Sequence, residues 1–241
     1  MKIIDAFWEK RNLGVETIEI IVEPGDTLIG LHEALHKFSP PYTVVKVPST
    51  SSEFLFELNR QNFFFIETMF QCHHTGGDFG FNPIQQRIMQ RSRNWAMNAA
   101  EVETLLLQIQ KGMFGTDRIS VDPQFGPEIA NKRYAFWIRD EIEKGALVHN
   151  VAVDEKNIGF FAIKRAGRDN YFLFLAGLYL EYQSTGLGFC THFSGIQKGL
   201  DMGSKRVLLA YSSNNRGAAG LHMGMGHKLD EVFHVFIRHQ S

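Results

Sequence analysis

The stretch Gln183-Ser184-Thr185-Gly186-Leu187-Gly188 constrains this chain more than any other. It lies between an apolar run, Tyr171 to Leu178, that reads as a buried strand, and Phe189 to Met202, which reads as a helix. A strand passing through a small-residue turn into a helix aims several backbone N–H groups at one spot. The positive end of the helix dipole stands behind them, so the spot suits a phosphate or pyrophosphate. Gly186 and Gly188 keep side chains away and let a ligand approach the main chain.

Two common phosphate loops are excluded. A P-loop would continue with Gly-Lys-Ser/Thr, whereas Gly188 is followed by Phe189 and Cys190. A dinucleotide fingerprint wants a third small residue at Thr191 and a carboxylate closing the next strand, which instead ends Ala210-Tyr211-Ser212. That strand, Arg206 to Tyr211, leads through Ser213, Asn214 and Asn215 into a second helix starting at Arg216. Asn215 and His222, seven residues apart, share one face of it. Gly217 and Gly220 each cost a helix roughly 1 kcal/mol relative to Ala. So bare a helix makes sense where something packs on its backbone, either a ligand or a neighbouring strand.

Gln183-x-x-Gly186-x-Gly188, preceded by a strand and followed by helix, strand and Asn215-x-x-Ala218, is similar to the coenzyme A site of the GNAT superfamily of N-acetyltransferases. The resemblance implies acetyl-CoA as acyl donor. Main-chain amides of Gln183, Ser184, Thr185, Gly186, Leu187 and Gly188 would hold its pyrophosphate. Leu178, Leu180, Asn215 and Ala218 would border the pantetheine arm, and the Leu178 N–H would meet the developing oxyanion. The family commonly has a Tyr seven residues after the Asn, which protonates the departing thiolate; here that position is His222. Gly226 matches a family Gly, and His227 replaces the aromatic residue after it. An imidazole with an ordinary pKa of ~6.5 is a stronger acid than a phenol of ~10, so as general acid His222 predicts activity falling steeply above neutral pH. Glu181, Tyr179 and His149 remain open as groups that deprotonate the acceptor.

Upstream, Thr116-Asp117-Arg118-Ile119, Asp122-Pro123, Phe125-x-Pro127 and Arg133-Tyr134-x-x-Trp137-Ile138 resemble the acceptor-side helices of the TDP-fucosamine acetyltransferase group. That resemblance implies acceptor contacts at Arg118, Tyr134 and Trp137, with Arg118 meeting a phosphate or carboxylate. It makes a nucleotide-linked amino sugar the leading small-molecule amine. A peptide, amino acid or polyamine acceptor is the alternative within the same chemistry. A non-catalytic acyl-CoA-binding regulatory module is the alternative outside it.

The expected fold is α/β (α+β): a GNAT-like mixed, mostly antiparallel twisted sheet with flanking helices over residues 91–241. A smaller α/β N-terminal lobe over 1–90, scaffold and acceptor wall, would precede it as a degenerate GNAT half. The parallel between Leu58-x-x-x-Asn62-Phe63 and His222-x-x-x-Gly226-His227, with Glu67 and Phe70 matched to Glu231 and His234, points to such repetition. Asp26 is the expected cap of a helix reaching Phe38, and His74 to Arg91 the expected linker. With 241 residues, 44% hydrophobic and 21% charged, the composition is that of an ordinary globular protein. Residues 1–90 hold 7 basic and 11 acidic side chains, and 91–241 hold 18 and 15, so the more basic half is the one expected to meet a polyanion. No basic stripe interleaved with aromatics favours nucleic acid. Two cysteines make no disulfide framework, and no apolar run has signal-peptide or membrane-span length, so a cytoplasmic protein is expected. No metal-ligand spacing is evident: His32 and His36 share a helix face without a third ligand. A homodimer is compatible with all of this.

Overall fold

The computed structural model describes residues 1–240. Its first half runs Lys2–Asp5 (β1), Trp8–Leu13 (α1), Thr17–Ile21 (β2), Leu28–Lys37 (α2), Tyr42–Pro48 (β3), Ser52–Arg60 (α3) and Phe64–His74 (β4). Pro83–Gln90 (α4) leads to Ser92–Ala96 (β5), Ala99–Gln110 (α5), Arg118–Val121 (α6) and Gly126–Glu143 (α7). Then follow Leu147–Val153 (β6), Lys156–Arg165 (β7), Asn170–Leu178 (β8), Gly188–Asp201 (α8), Arg206–Ser212 (β9), Arg216–Gly224 (α9) and Lys228–His239 (β10).

All ten strands join one sheet in the order β1-β2-β3-β10-β4-β9-β8-β7-β6-β5. Only β2–β3 and β8–β9 are parallel, so the sheet is mixed and mostly antiparallel, as expected. Its middle is a palindrome. The runs β2-α2-β3-α3-β4 and β8-α8-β9-α9-β10 match element for element, and each sends its last strand into the other's territory. β4 lies between β10 and β9, and β10 between β3 and β4. The repeat seen in sequence falls just before these exchanged strands, where Asn62 and Gly226 turn the chain with φ of 60° and 70°. The two expected lobes thus share one hydrogen-bonded sheet through β4 and β10.

Local chemistry explains the boundaries. Capping boxes start α4 (Asn82 with Gln85) and α5 (Asn98 with Glu101). Thr27, not Asp26, caps α2: its hydroxyl accepts from Gly30 N at 3.2 Å. Asp26 instead takes the N-terminal ammonium at 2.6 Å and the Glu23 N–H at 2.7 Å. The span read as a linker, 74–91, is ordered. Gly76 and Gly77 do form a turn, but Phe79 is buried, and Phe81, Ile88 and Met89 pack with it against the core beneath α8. That core (Phe161, Ile163, Leu173, Phe189, Ile196, Val207) lies on one face of β7–β9, and another (Leu105, Ile109, Ile138, Phe160, Phe174) on the opposite face under α5 and α7. In the first half, α2 and α3 cover Ile20, Val45 and Phe236.

Candidate functional site

β8 and β9 pair from Asn170↔Arg206 to Phe172↔Leu208 and no further. A register shift in the β7–β8 ladder follows at once, between Leu173 and Leu175 of β8. A bulge of this kind bends its strand, so β8 turns off β9 where their pairing ends. Beyond it β8 stays with β7 as far as Gly159↔Leu178, and β9 stays with β4 as far as Ser212↔Met69. A wedge-shaped opening results. Tyr179 N donates to Ile158 O at 2.9 Å. By antiparallel alternation the N–H of Leu178 points the other way, into the opening. Gly159 sits opposite Leu178: a Cβ there would penetrate Gly177 O and lie 3.0 Å from Leu178 Cα.

Past Leu178 a single 3-10 turn, Leu180–Tyr182, precedes the glycine loop. Ser184 and Gly186 have φ of 64° and 79°, reversing the chain into α8. Side chains pin the loop. Gln183 Nε2 donates to Met113 O at 3.0 Å, and Thr185 Oγ1 to Tyr182 O at 2.6 Å. No side chain caps α8. The N–H groups of Gly186, Leu187, Gly188 and Phe189 have no acceptor among the described residues, as the first turn of an uncapped helix leaves them. Four converging donors at the N-terminus of a 14-residue helix form an anion cradle.

The matching end of the first half is closed. β2 and β3 pair through Ile21↔Lys46, and Val22 N extends the ladder to Lys46 O at 2.9 Å. Thr27 caps α2, and Glu23 and Asp26 put negative charge at the turn. Of the two equivalent places in the palindrome, only the one between β8 and β9 offers an opening with free donors.

The second helix brings Asn215 and Ala218 together as a cap: Asn215 Oδ1 accepts from Ala218 N at 2.9 Å. His222, on the same helix, is 4% exposed. Its ring stacks on Tyr211 with centroids 4.6 Å apart, and its Nδ1 lies 3.5 Å from Cys72 Sγ. His192 and His227 stand edge-on at 5.4 and 4.5 Å. Burial, reinforced by these two neighbours when charged, holds the His222 pKa down to about 2. The ring is therefore neutral at neutral pH, which corrects the expectation of an imidazolium acid titrating near 6.5: an exposed imidazole would behave so, a sealed one does not.

On the other face, Met113 and Phe114 cross the end of β8; a Cβ on Gly177 would meet Phe114 Cε1 at 3.1 Å. Asn131 of α7 fastens this segment, accepting from Phe114 N at 3.0 Å and donating to Phe114 O at 2.7 Å. Tyr134 packs on Phe114 at 4.7 Å and so reaches the rim of the opening. Trp137, one turn on, packs against Phe174 at 5.1 Å. Burial raises the Tyr134 phenol well above its ordinary range, keeping it a neutral donor. Arg118 is placed differently from expectation. Its Nη2 is 2.6 Å from Glu19 Oε1, while Lys46 Nζ holds Glu19 Oε2 at 2.8 Å. The guanidinium is held by Glu19 through Nη2, and its Nε, without a partner among the described residues, is sealed from solvent.

Of the groups left open for deprotonation, Glu181 is exposed on the loop. Tyr179 donates to Asn150 Oδ1 at 2.7 Å, and burial raises its phenol. His149 is buried against Phe161, its pKa lowered to about 4 by burial and then by Lys198. Sequence reasoning missed Gly159 and the Met113–Phe114 segment. Neither has a local signature, since each matters through a strand paired with it in space.

No family model matches the chain, and no curated protein does. Solved structures do. A GCN5-related N-acetyltransferase from Sphaerobacter thermophilus superposes with a TM-score of 0.64 over 92% of this chain and 73% of that one, at 10% identity. A tandem GNAT protein from the clavulanic acid biosynthesis pathway gives 0.58 over 92% and 75%, at 12% identity. One from Kribbella flavida, also GCN5-related, gives 0.57 over 94% and 82%, at 12% identity. The fold is that of the GCN5-related N-acetyltransferases. In this GNAT fold the opening and the anion cradle both belong to the second run of the palindrome, β8 to β10. Among the described residues, no group of three or more His, Cys, Asp or Glu side chains is disposed to hold a metal ion. No helix among them is long and apolar enough to cross a membrane.

Proposed function

We propose that the protein transfers an acetyl group from acetyl-CoA to the amine of a small molecule, by direct attack within a ternary complex. One observation carries this reading: two parallel strands part at Phe172/Leu208, and the chain then enters an uncapped helix through amides without acceptors. A diphosphate with a long thin arm fits that arrangement. The amides from Gly186 to Phe189 would receive the diphosphate, those of Gln183 and Thr185 being turned to Leu180 O and Tyr182 O, and the arm would lie between β8 and β9, bordered by Leu178, Leu180, Asn215 and Ala218. Asn215 Oδ1 is committed to its cap, which leaves Nδ2 to meet the arm.

Acetyl-CoA supplies an activated thioester, and the chain supplies the surroundings. The Leu178 N–H, aimed into the opening, would bind the carbonyl oxygen as negative charge develops there; one preorganised donor of this kind is typically worth roughly 3 kcal/mol of barrier. Neutral His222 would stabilise the departing thiolate as a hydrogen-bond donor through its one N–H, since at neutral pH the ring lacks the second proton of an imidazolium acid. Tyr134 and Trp137, with Phe114, would form the acceptor wall. For the nucleotide-linked amino sugar implied by the upstream resemblance, the expected phosphate partner, Arg118, is held by Glu19 through Nη2.

Leu178→Pro tests the reading, since it removes one N–H that pairs with neither neighbouring strand. Calorimetry with desulfo-CoA should show wild-type and variant binding alike, while coenzyme A release with an amine panel should fall about 10²–10³-fold in the variant. Absence of desulfo-CoA binding by the wild type would remove the cofactor assignment. Binding without turnover of any amine would favour a regulatory acyl-CoA-binding module.

A further inference from the structure

Glu67 stands on β4, the strand that the first half lends to the second half's side of the sheet. It is 6% exposed, yet its carboxylate takes part in no hydrogen bond or ion pair among the described residues. The nearby cations are engaged elsewhere. Arg118 and Lys46 both hold Glu19, and Arg133 grips Glu9 through Nε at 2.8 and 3.0 Å. Nor is the carboxylate sealed: the buried polar atoms without partners are Tyr42 Oη, Thr43 Oγ1, Ser92 Oγ, Arg118 Nε and His227 Nε2. A carboxylate so desolvated, unpaired and still reachable is costly unless a cation completes it.

Its place is set by register. β4 pairs with β9 at Met69↔Ser212, so two residues further Glu67 stands level with Asn214. β8 pairs with β9 at Phe172↔Leu208 and, with one residue taken up by its register shift, advances five rungs from Lys164↔Phe172 to Gly159↔Leu178, which brings Leu178 to the level of Ser213, next to Asn214. Glu67 and the Leu178 amide therefore lie on neighbouring rungs, on either side of the opening. Alternation fixes the face. Cys72 points to His222 and α9, whereas Met69, and Glu67 with it, points to the side where Ile119 and Ala130 pack. That is the side of Tyr134, which feels the charges of Asp117 and Glu67 together with those of Arg133 and Arg118.

We propose that Glu67 is the acceptor-binding residue of the acetyl-transfer site, and that the acceptor is a primary amine with net positive charge and no anionic group. The proposal rests on the acetyltransferase reading above. An ammonium beside Glu67 gains the one uncommitted carboxylate among Glu9, Glu19 and Glu67, one rung from the Leu178 donor. A diphosphate conjugate brought there meets Glu67 and Asp117, with Arg133 and Lys46 already paired and Arg118 drawn to Glu19 through Nη2.

The test measures coenzyme A release from acetyl-CoA by the full-length protein with a four-carbon diamine, spermidine and a nucleoside-diphosphate amino sugar. The cationic amines should be turned over and the anionic conjugate should not. Glu67→Gln, nearly isosteric, should raise KM for the diamine about 10–100-fold and lower kcat much less, with desulfo-CoA affinity unchanged by calorimetry. Glu33→Gln, an exposed carboxylate on α2, should change neither constant. Preference for the anionic conjugate, or an unchanged diamine KM in Glu67→Gln, overturns the proposal while leaving acetyl transfer intact. Failure of the wild type to bind desulfo-CoA overturns both. The acceptor panel needs no variant, so it decides the matter even where Glu67→Gln folds poorly.

Discussion

Lowering the pH from 7.5 to 5.5 should cost this protein several kcal/mol of folding stability, and the cause should be buried neutral histidines. His222 and His149 are both nearly sealed, with folded pKa values of about 2 and about 4 against an ordinary 6.5. A group whose folded pKa is depressed is stabilising above its unfolded pKa. That contribution drains away as pH falls, because the unfolded chain takes up protons that the native state refuses. At pH 5.5, one unit below 6.5, each of these two histidines costs about 1.4 kcal/mol relative to pH 7.5. His192 and His227, whose values burial lowers to about 4, keep some ring surface and add a smaller share. The combined loss is on the order of 3–5 kcal/mol, a large part of the 5–15 kcal/mol typical of a folded domain. Carboxylates do not confuse the window. Glu19 is buried, which alone would raise it, but Arg118 and Lys46 outweigh that and hold it at about 2, so its contribution is lost only below 4.5. Urea denaturation followed by tryptophan fluorescence at pH 7.5, 6.5, 5.5 and 5.0 reads the effect. His222→Phe, which keeps the stack on Tyr211, should reduce the slope below pH 6 by about 1.4 kcal/mol per pH unit. Equal stability at 7.5 and 5.5, or an unchanged slope in that variant, would refute the account of the sealed ring.

Gly159→Ala should destabilise the fold by about 1–3 kcal/mol and weaken desulfo-CoA binding, because its methyl collides with Gly177 O and pushes the end of β8 into the opening; thermal melts and calorimetry check both, and a variant with wild-type affinity would separate the opening from the ligand. Gly220→Ala has no atom within 4 Å of the new methyl and should instead stabilise the unliganded protein by about 0.5–1 kcal/mol, seen as a raised Tm. Arg133→Met should cost about 3–5 kcal/mol, since it strands the fully buried Glu9 without its guanidinium; an equilibrium denaturation loss under 1 kcal/mol would show that Glu9 had found another partner.

What could be read from residues alone was what is local. The run from Tyr171 through Gly188 carries its own strand pattern, turn and helix start, and Asn215 with Ala218 is a cap visible as spacing. The charge state of His222 was not readable, because it depends on Tyr211, Cys72 and His192 arriving from three further elements and on His227 folding back from the turn after α9. Arg118 looked free only because Glu19 lies 99 residues away in the chain. The span 74–91 looked like a linker because Gly76 and Gly77 dominate its composition, whereas Phe79 and the Asn82 capping box decide its structure. Glu67 was noted only as part of a repeat. Its isolation follows from how three other acid–base pairings are already satisfied.

The palindrome also explains why one parallel pair opens and its counterpart does not. β3 and β9 are held alike, each on its inner side by an exchanged strand. For β9 that hold runs past the strand end: Ser213 N reaches Thr68 O at 2.7 Å and Thr68 N reaches Ser213 Oγ at 2.9 Å. The difference lies on the outer side. β2 has only the four-residue β1 beyond it, and nothing there competes with β3. β8 has the ten-residue β7, whose ladder continues past the register shift to Gly159↔Leu178 and on to Tyr179. The ladder to β7 uses the outward-facing backbone groups of β8 and stays formed beyond Phe172, so the bend costs β8 no pairing on its outer edge. The unpaired donors this leaves along the inner edge, Leu178 among them, are tolerable only where water or a ligand reaches them. An opening held from both sides by full ladders is rigid before anything binds. That is the condition under which a backbone donor can stabilise a developing charge without first reorganising.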